Sequence, residues 1–277
     1  MELFDLTSYK CSKLITQHYS TSFTLGIKTL DKKFHFPIYA VYGFVRYADE
    51  IVDTFHDYDK AALLREFKAS TYKAIEDKIS LNPILHAFQL VVHQYKIKHE
   101  FIEAFLRSME MDLEGKRFDK DLYEEYIYGS AEVVGLMCLQ IFCEGDADAF
   151  ERLKEPARSL GAAFQKVNFL RDMKSDYKER GRVYFPKVDF QCFDNGCKKE
   201  IEAEIVKDFA LAYEGILNLP RSARMGVYLA YIYYRKLFKK IQHLPAARIL
   251  SERVRVPDNT KLALLLGSYV KYRLNTI

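Results

Sequence analysis

Two stretches of the 277-residue chain carry residues whose types and spacing point to chemistry. In Asp49-Glu50-Ile51-Val52-Asp53, two carboxylates stand four residues apart. In Asn168-Phe169-Leu170-Arg171-Asp172-Met173-Lys174-Ser175-Asp176, an amide and two carboxylates stand at i, i+4 and i+8. On helices each set lines one face, because side chains at i and i+4 are neighbours. Like charges so placed cost helix stability unless something offsets them. A hard divalent cation does so, because Mg²⁺ takes oxygen ligands and joins a few carboxylates to substrate phosphates. The expectation is a pair of facing helices holding Mg²⁺, or Mn²⁺ in its place, against a diphosphate. The competing account is a structural ion-pair network, which the one-sided acidic excess disfavours.

The elements that must position these stripes read as helices. Residues 5–19 form the first, followed by the hydroxyl-rich break Tyr19-Ser20-Thr21-Ser22-Phe23, better read as a helix cap than as a phosphate cradle. Pro37 is placed to open a helix. The residues after it are apolar nearly all round yet carry Arg46, Asp49, Glu50 and Asp53, and buried charges need partners. Further helices are expected at 60–78, 84–95, 98–113, 121–143, 146–176, 199–216, 222–243 and 259–274. Gly135 and the small residues at 129–131 would admit a close neighbour or a kink. Gln165 falls on the acidic side of the longest helix. Residues 187–197, with Asp189, Asn195 and Gly196, read as irregular. No strand alternation, repeat or linker is present, so the expected architecture is all-α: one domain over 1–277, a bundle of about ten or more helices.

Composition narrows the function. Half the residues (49%) are hydrophobic, and twenty Tyr and twenty Phe with no Trp supply an aromatic interior, some of it expected to line an oily cavity whose ring faces stabilise a cation. The net charge of +4 suits an anionic substrate, while no dense basic tract marks a nucleic-acid binder. Arg235, Lys236, Lys239 and Lys240 read as a solvated face, with a membrane-surface patch as the other reading. Cys11, Cys138, Cys143, Cys192 and Cys197 lack zinc-site spacing and read as reduced thiols. The acidic start Met-Glu-Leu-Phe-Asp is unlike a signal peptide, and the apolar run Val133–Cys143 is short for a membrane span. A cytoplasmic protein, with peripheral membrane contact at most, is expected.

The stripes sit in longer signatures. Asp49 to Asp53 is close to DELVD, Asn168 to Asp176 continues into Arg180-Gly181-Arg182-Val183-Tyr184-Phe185-Pro186, and Arg253-Val254-Arg255-Val256 follows near the end. Together they resemble the squalene/phytoene synthases, over essentially the whole chain. The resemblance implies the isoprenoid synthase type I fold around a central hydrophobic cavity. It implies that Asp49, Asp53, Asn168, Asp172 and Asp176 bind Mg²⁺ bridging to diphosphate. Ser20, Thr21 and Ser22 match a phosphate-binding segment. Tyr42, Arg46, Gln165, Arg171, Tyr234 and Arg253 match positions contacting two prenyl diphosphates, and Tyr126 matches a tyrosine near the reacting carbons. The implied reaction is a head-to-head (1′–1) condensation through a cyclopropylcarbinyl diphosphate, without nicotinamide. The expected substrate is geranylgeranyl diphosphate and the product phytoene, the first committed step towards carotenoids. The alternative is a C30 product, squalene or dehydrosqualene, from farnesyl diphosphate. A non-catalytic assembly protein is disfavoured by the intact aspartates. One departure stands out: Ala131-Glu132-Val133-Val134-Gly135 replaces A-G-T-V-G, so Glu132 either points away into an ion pair or reshapes the tail pocket.

Overall fold

The computed structural model describes residues 2–114, 118–186 and 193–274. The chain begins with α1 (Leu3–Tyr19), whose buried face is small and polar: Ser8, Ser12 and Thr16, one per turn. That face lies against α3 (Lys32–Asp53), where a Cβ on Gly43 would come 3.0 Å from Ser12 Oγ. Between them the short α2 (Thr21–Lys28) is capped by Ser20, whose hydroxyl accepts from Phe23 N. The cap expected from the hydroxyl-rich break is therefore present.

Pro37 does not open α3. Asp31 does, accepting from Lys33 N at 3.1 Å, and the proline lies inside the helix. The lost hydrogen bond is tolerated because this first stretch is anchored by burial, with Phe34 and Ala40 fully enclosed. Further along α3, Phe44 stacks on Phe88 of α5 (Pro83–Tyr95) at 3.9 Å and tilts against Phe105 of α6 (His99–Glu114) at 5.3 Å. Outside these packs α4 (Lys60–Asp77).

The region expected as one helix over 121–143 is continuous but not uniform. α7 (Lys120–Ile127) passes into a π-helical segment, Tyr128–Glu132, and then α8 (Val133–Cys143). Two glycines explain why the wide turn fits. A Cβ on Gly129 would come 2.3 Å from Ala104 O of α6, and one on Gly161 would come 2.6 Å from Ala131 O. Neighbouring backbones therefore press on the segment from both sides, and such segments recur at functional sites. By length and composition Lys120–Cys143 is apolar enough to cross a membrane, longer than the run anticipated from sequence, yet most of it is buried within the bundle.

Residues Ala147–Arg180 form α9, the longest helix, which continues through Pro156. Residues 187–192, including Asp189 and Cys192, lie outside the described set. Asn195 and Gly196 are not loop residues: they begin α10 (Asn195–Asn218), capped by Asp194 accepting from Cys197 N at 2.8 Å. The chain ends in α11 (Arg221–Gln242), α12 (Ala246–Ile249) and α13 (Asp258–Arg273). The result is an all-α bundle with no strand among the described residues. Cys11, Cys138, Cys143 and Cys197 are free thiols.

Candidate active site

A cavity of about 1000 Å³ runs through the bundle between α2, α3, α8, α9 and α11. Its chemistry changes along its length because two helices are graded in the same direction. On α3 the lining passes from Ile38 and Val41 through Tyr42 and Val45 to Arg46, Asp49 and Asp53. On α9 it passes from Leu153, Ala157 and Leu160 through Phe164 to Asn168, Asp172 and Asp176. The span from Ile38 to Asp53 is roughly 22 Å at 1.5 Å per helical residue. One end is oily, and the other holds both acidic stripes.

The α3 stripe sits at a helix C-terminal end, where the macrodipole is negative and carboxylates are disfavoured while cations are favoured. Asp53 is the last residue of α3, and Asp172 and Asp176 lie in the closing turns of α9. Burial, with Asp53, Asp112 and Glu50 as like charges, pushes the Asp49 carboxyl up to about 7, although Arg46 opposes the shift. Among the described residues no three acidic or metal-ligating side chains are already gathered around one point.

Internal cations hold several of these carboxylates instead. Arg253 Nε lies 2.7 Å from Asp172 Oδ1, and Arg171 Nε donates to the same carboxylate at 3.0 Å. Arg182 Nη1 donates to Asp53 Oδ1 at 2.8 Å. Arg46 pairs with Glu50 and lies over the Tyr19 ring, 4.4 Å from its centroid. Tyr234 donates to Asn168 Oδ1 at 3.3 Å and stacks on Phe164 at 3.9 Å. Gln165 donates to Ser130 Oγ, on the π segment, at 3.1 Å. Burial pushes the Tyr42 phenol up to about 12 and raises that of Tyr234.

Of the residues singled out from sequence, Ser20, Ser22, Tyr42, Arg46, Asp49, Asp53, Tyr126, Gln165, Asn168, Arg171, Asp172, Asp176, Tyr234 and Arg253 all line this one cavity. Thr21 does not: it is exposed, because the turn that lets Ser20 cap α2 turns the next residue outward. Glu132 follows the plainer of its two readings. It pairs with Arg158 at 2.7 Å and is absent from the cavity lining.

Sequence reasoning missed Asp112 and gave no role to Arg182 or Tyr184, all three of which line the cavity. Asp112 accepts from Tyr126 Oη at 2.9 Å and from Tyr184 Oη at 3.0 Å. Burial pushes its carboxyl up to about 6, against the lowering effect of Arg182 and Tyr126. One signal was present: Asp112 falls three residues after Met109 on the apolar stripe of α6, where a charge needs a reason.

The squalene/phytoene synthase model matches residues 16–260. The chain belongs to the squalene/phytoene synthase family. Similar proteins include 4,4'-diapophytoene synthase of Staphylococcus haemolyticus, 27% identical over 73% of this chain and 70% of its own. Phytoene synthase of Arthrospira platensis is 26% identical over 96% of this chain and 94% of its own. A dehydrosqualene synthase crystallised with a ligand shares the fold at a TM-score of 0.83, with 24% identity, over 99% of this chain and 98% of that one. Squalene synthase HpnC from Alicyclobacillus acidocaldarius superposes at a TM-score of 0.75 with 18% identity, over 87% of this chain and 95% of that one. This squalene/phytoene synthase family member thus has the isoprenoid synthase type I fold and the prenyl-condensing chemistry of its family.

Proposed function

We propose that this protein joins two allylic prenyl diphosphates head to head (1′–1), and that its substrate is the C15 farnesyl diphosphate, giving a C30 hydrocarbon. The observation that carries the reaction type is the graded cavity: a charged end built for diphosphate continuous with an apolar end built for tails. The C15 choice departs from the C20 expectation drawn from sequence. It rests on the likeness to a 4,4'-diapophytoene synthase and to a dehydrosqualene synthase structure. The C20 reading, with phytoene as product, remains the second, favoured by the near full-length match to the Arthrospira platensis phytoene synthase.

The donor set fits Mg²⁺: Asp49, Asp53, Asn168, Asp172 and Asp176 offer hard oxygen atoms to one end of the cavity. These five residues would hold it, and a divalent cation there withdraws charge from a leaving diphosphate. Arg46, Arg171 and Arg253 offer guanidinium forks that match phosphate oxygens, with the Ser20 and Ser22 hydroxyls beside them. One diphosphate leaves, the allylic cation alkylates the double bond of the second substrate, and loss of a proton closes the three-membered ring to give a cyclopropylcarbinyl diphosphate. That intermediate ionises in turn, rearranges and loses a proton. Ring faces of Tyr126, Phe169 and Tyr184 line the cavity beside the acids, where they stabilise positive charge. Apolar walls from α8, α9 and α11 keep water from the cation.

The test is purified protein with Mg²⁺ and farnesyl and geranylgeranyl diphosphates, separately and in equimolar competition, with extracted products read by mass spectrometry. A C30 hydrocarbon supports the proposal. A C40 triene keeps the reaction and moves the substrate to C20. No hydrocarbon from either substrate overturns the head-to-head reading.

A further inference from the structure

Asp112 stands apart from both acidic stripes. It comes from α6, and its side chain is only 4% exposed, facing the cavity from behind a set of rings. Each carboxylate oxygen is taken by a different phenol: Oδ2 by Tyr126 at 2.9 Å, Oδ1 by Tyr184 at 3.0 Å. Arg182 Nη1 lies 3.4 Å from the same Oδ1 and 2.8 Å from Asp53 Oδ1. The rings so tethered form one wall. Tyr184 stacks on Phe169 at 4.2 Å and 10°, and Tyr126 lies 4.9 Å from Tyr184 and 5.9 Å from Phe169.

Stability alone does not account for a carboxylate here. A buried ion is weak evidence for stabilisation, since its desolvation offsets most of what its partners return. An amide would keep one of the two acceptors at a lower desolvation cost. The charge does something an amide cannot: it makes both hydrogen bonds charge-assisted, drawing the phenolic protons towards Asp112. Electron density on the two rings rises, and with it their attraction for a cation in front of them.

We propose that Asp112 is a positioning residue for the condensation, fixing Tyr126 and Tyr184 through their hydroxyls and enriching the ring wall that faces the carbocation. The inference rests on the head-to-head reading, since it needs a cation in the cavity. It also gives the Arg182 contact a place: in the resting protein one guanidinium spans Asp112 and Asp53 and links the ring wall to the diphosphate end.

The experiment is a double-mutant cycle on the full chain, assayed with Mg²⁺ and whichever prenyl diphosphate the wild type converts. Asp112→Asn is expected to lower kcat by about 10- to 100-fold with KM within about threefold, and to release a larger share of the cyclopropylcarbinyl diphosphate. In a background with Tyr126→Phe and Tyr184→Phe together, the same change should cost about threefold or less, because both residues through which it acts have lost their hydroxyls. Where Asp112→Asn does not fold by circular dichroism, Asp112→Glu replaces it, keeping the charge but displacing it by one methylene. Additive effects would overturn the proposal, as would a raised Mg²⁺ requirement or KM with kcat unchanged, which would assign Asp112 to diphosphate binding. A wild type inactive with both diphosphates is a separate result: it removes the head-to-head reading, and this inference with it.

Discussion

Asp49 shows most directly what single residues contribute. Folding buries it beside Asp53, Asp112 and Glu50 and pushes its carboxyl up to about 7 from an ordinary 3.8. The folded protein thus binds that proton more tightly than the unfolded chain does. Between about pH 4 and pH 7 the folded state holds more protons, so the contribution of Asp49 to stability falls as pH rises and stays lost above that window. Asp49→Asn should therefore stabilise the metal-free protein at pH 8 by on the order of 1–3 kcal/mol while lowering turnover by orders of magnitude. Urea denaturation in chelator at pH 5 and pH 8 checks this; a variant less stable than wild type at pH 8 refutes it. The i, i+4 spacing makes Asp49, Asp53, Asp172 and Asp176 legible in the sequence itself. Beyond its place on the apolar stripe of α6, Asp112 is not legible there, because its partners Tyr126, Tyr184 and Arg182 lie 14 or more residues away and only the tertiary fold brings α7 and the segment after α9 to it.

At the scale of elements, helix identity is readable from apolar periodicity, and most boundaries fall within a few residues of those expected. α3 and α10 are exceptions at their starts: Pro37 looks like an opening residue while the weaker signal, Asp31, makes the α3 cap, and Asn195 and Gly196 look like turn formers while Asp194 caps α10. The π segment has no signature beyond its small residues, since a widened turn depends on what presses against it. That pressure is testable at Gly161. Gly→Ala inside a helix ordinarily gains up to about 1 kcal/mol. Here the added methyl would meet Ala131 O at 2.6 Å and Glu132 Cα at 3.0 Å, both backbone atoms that cannot rotate away. Gly161→Ala should instead destabilise by about 1–3 kcal/mol, measured by urea denaturation, and should reduce activity because Ser130 and Gln165 move with the segment. A stabilised variant would show that the contact relaxes freely.

The whole molecule is organised by the polarity gradient along α3 and α9, and on the proposed reading substrate length would be limited at its oily end. Phe142 lines that end and packs edge-on against Phe34, with ring centroids 5.4 Å apart, near the start of α3 and far from its acids. Phe142→Ala should lengthen the tail space and shift a farnesyl–geranylgeranyl competition towards the C20 substrate, by about tenfold or more in product ratio. Its cost is about 3–5 kcal/mol of stability at most. An unchanged product ratio from a folded variant would place the length limit elsewhere. The sequence identifies the helices but not the distance between their facing walls, so the depth of this end cannot be read from it.

The guanidinium clamps on Asp172 and Asp53 bear on the order of events during turnover. With Arg171 and Arg253 on one acid and Arg182 on the other, the resting protein is its own counterion. On the proposed reading, a metal arriving alone would have to evict a guanidinium, and a diphosphate arriving alone would have to draw the same group away from its acid. When both arrive together, each provides the partner that the other displaces. Loading should therefore be synergistic, with weak binding of either species by itself. Product diphosphate should leave most readily when the arginines fold back onto the aspartates, which would make the closed clamp the state that begins and ends each cycle.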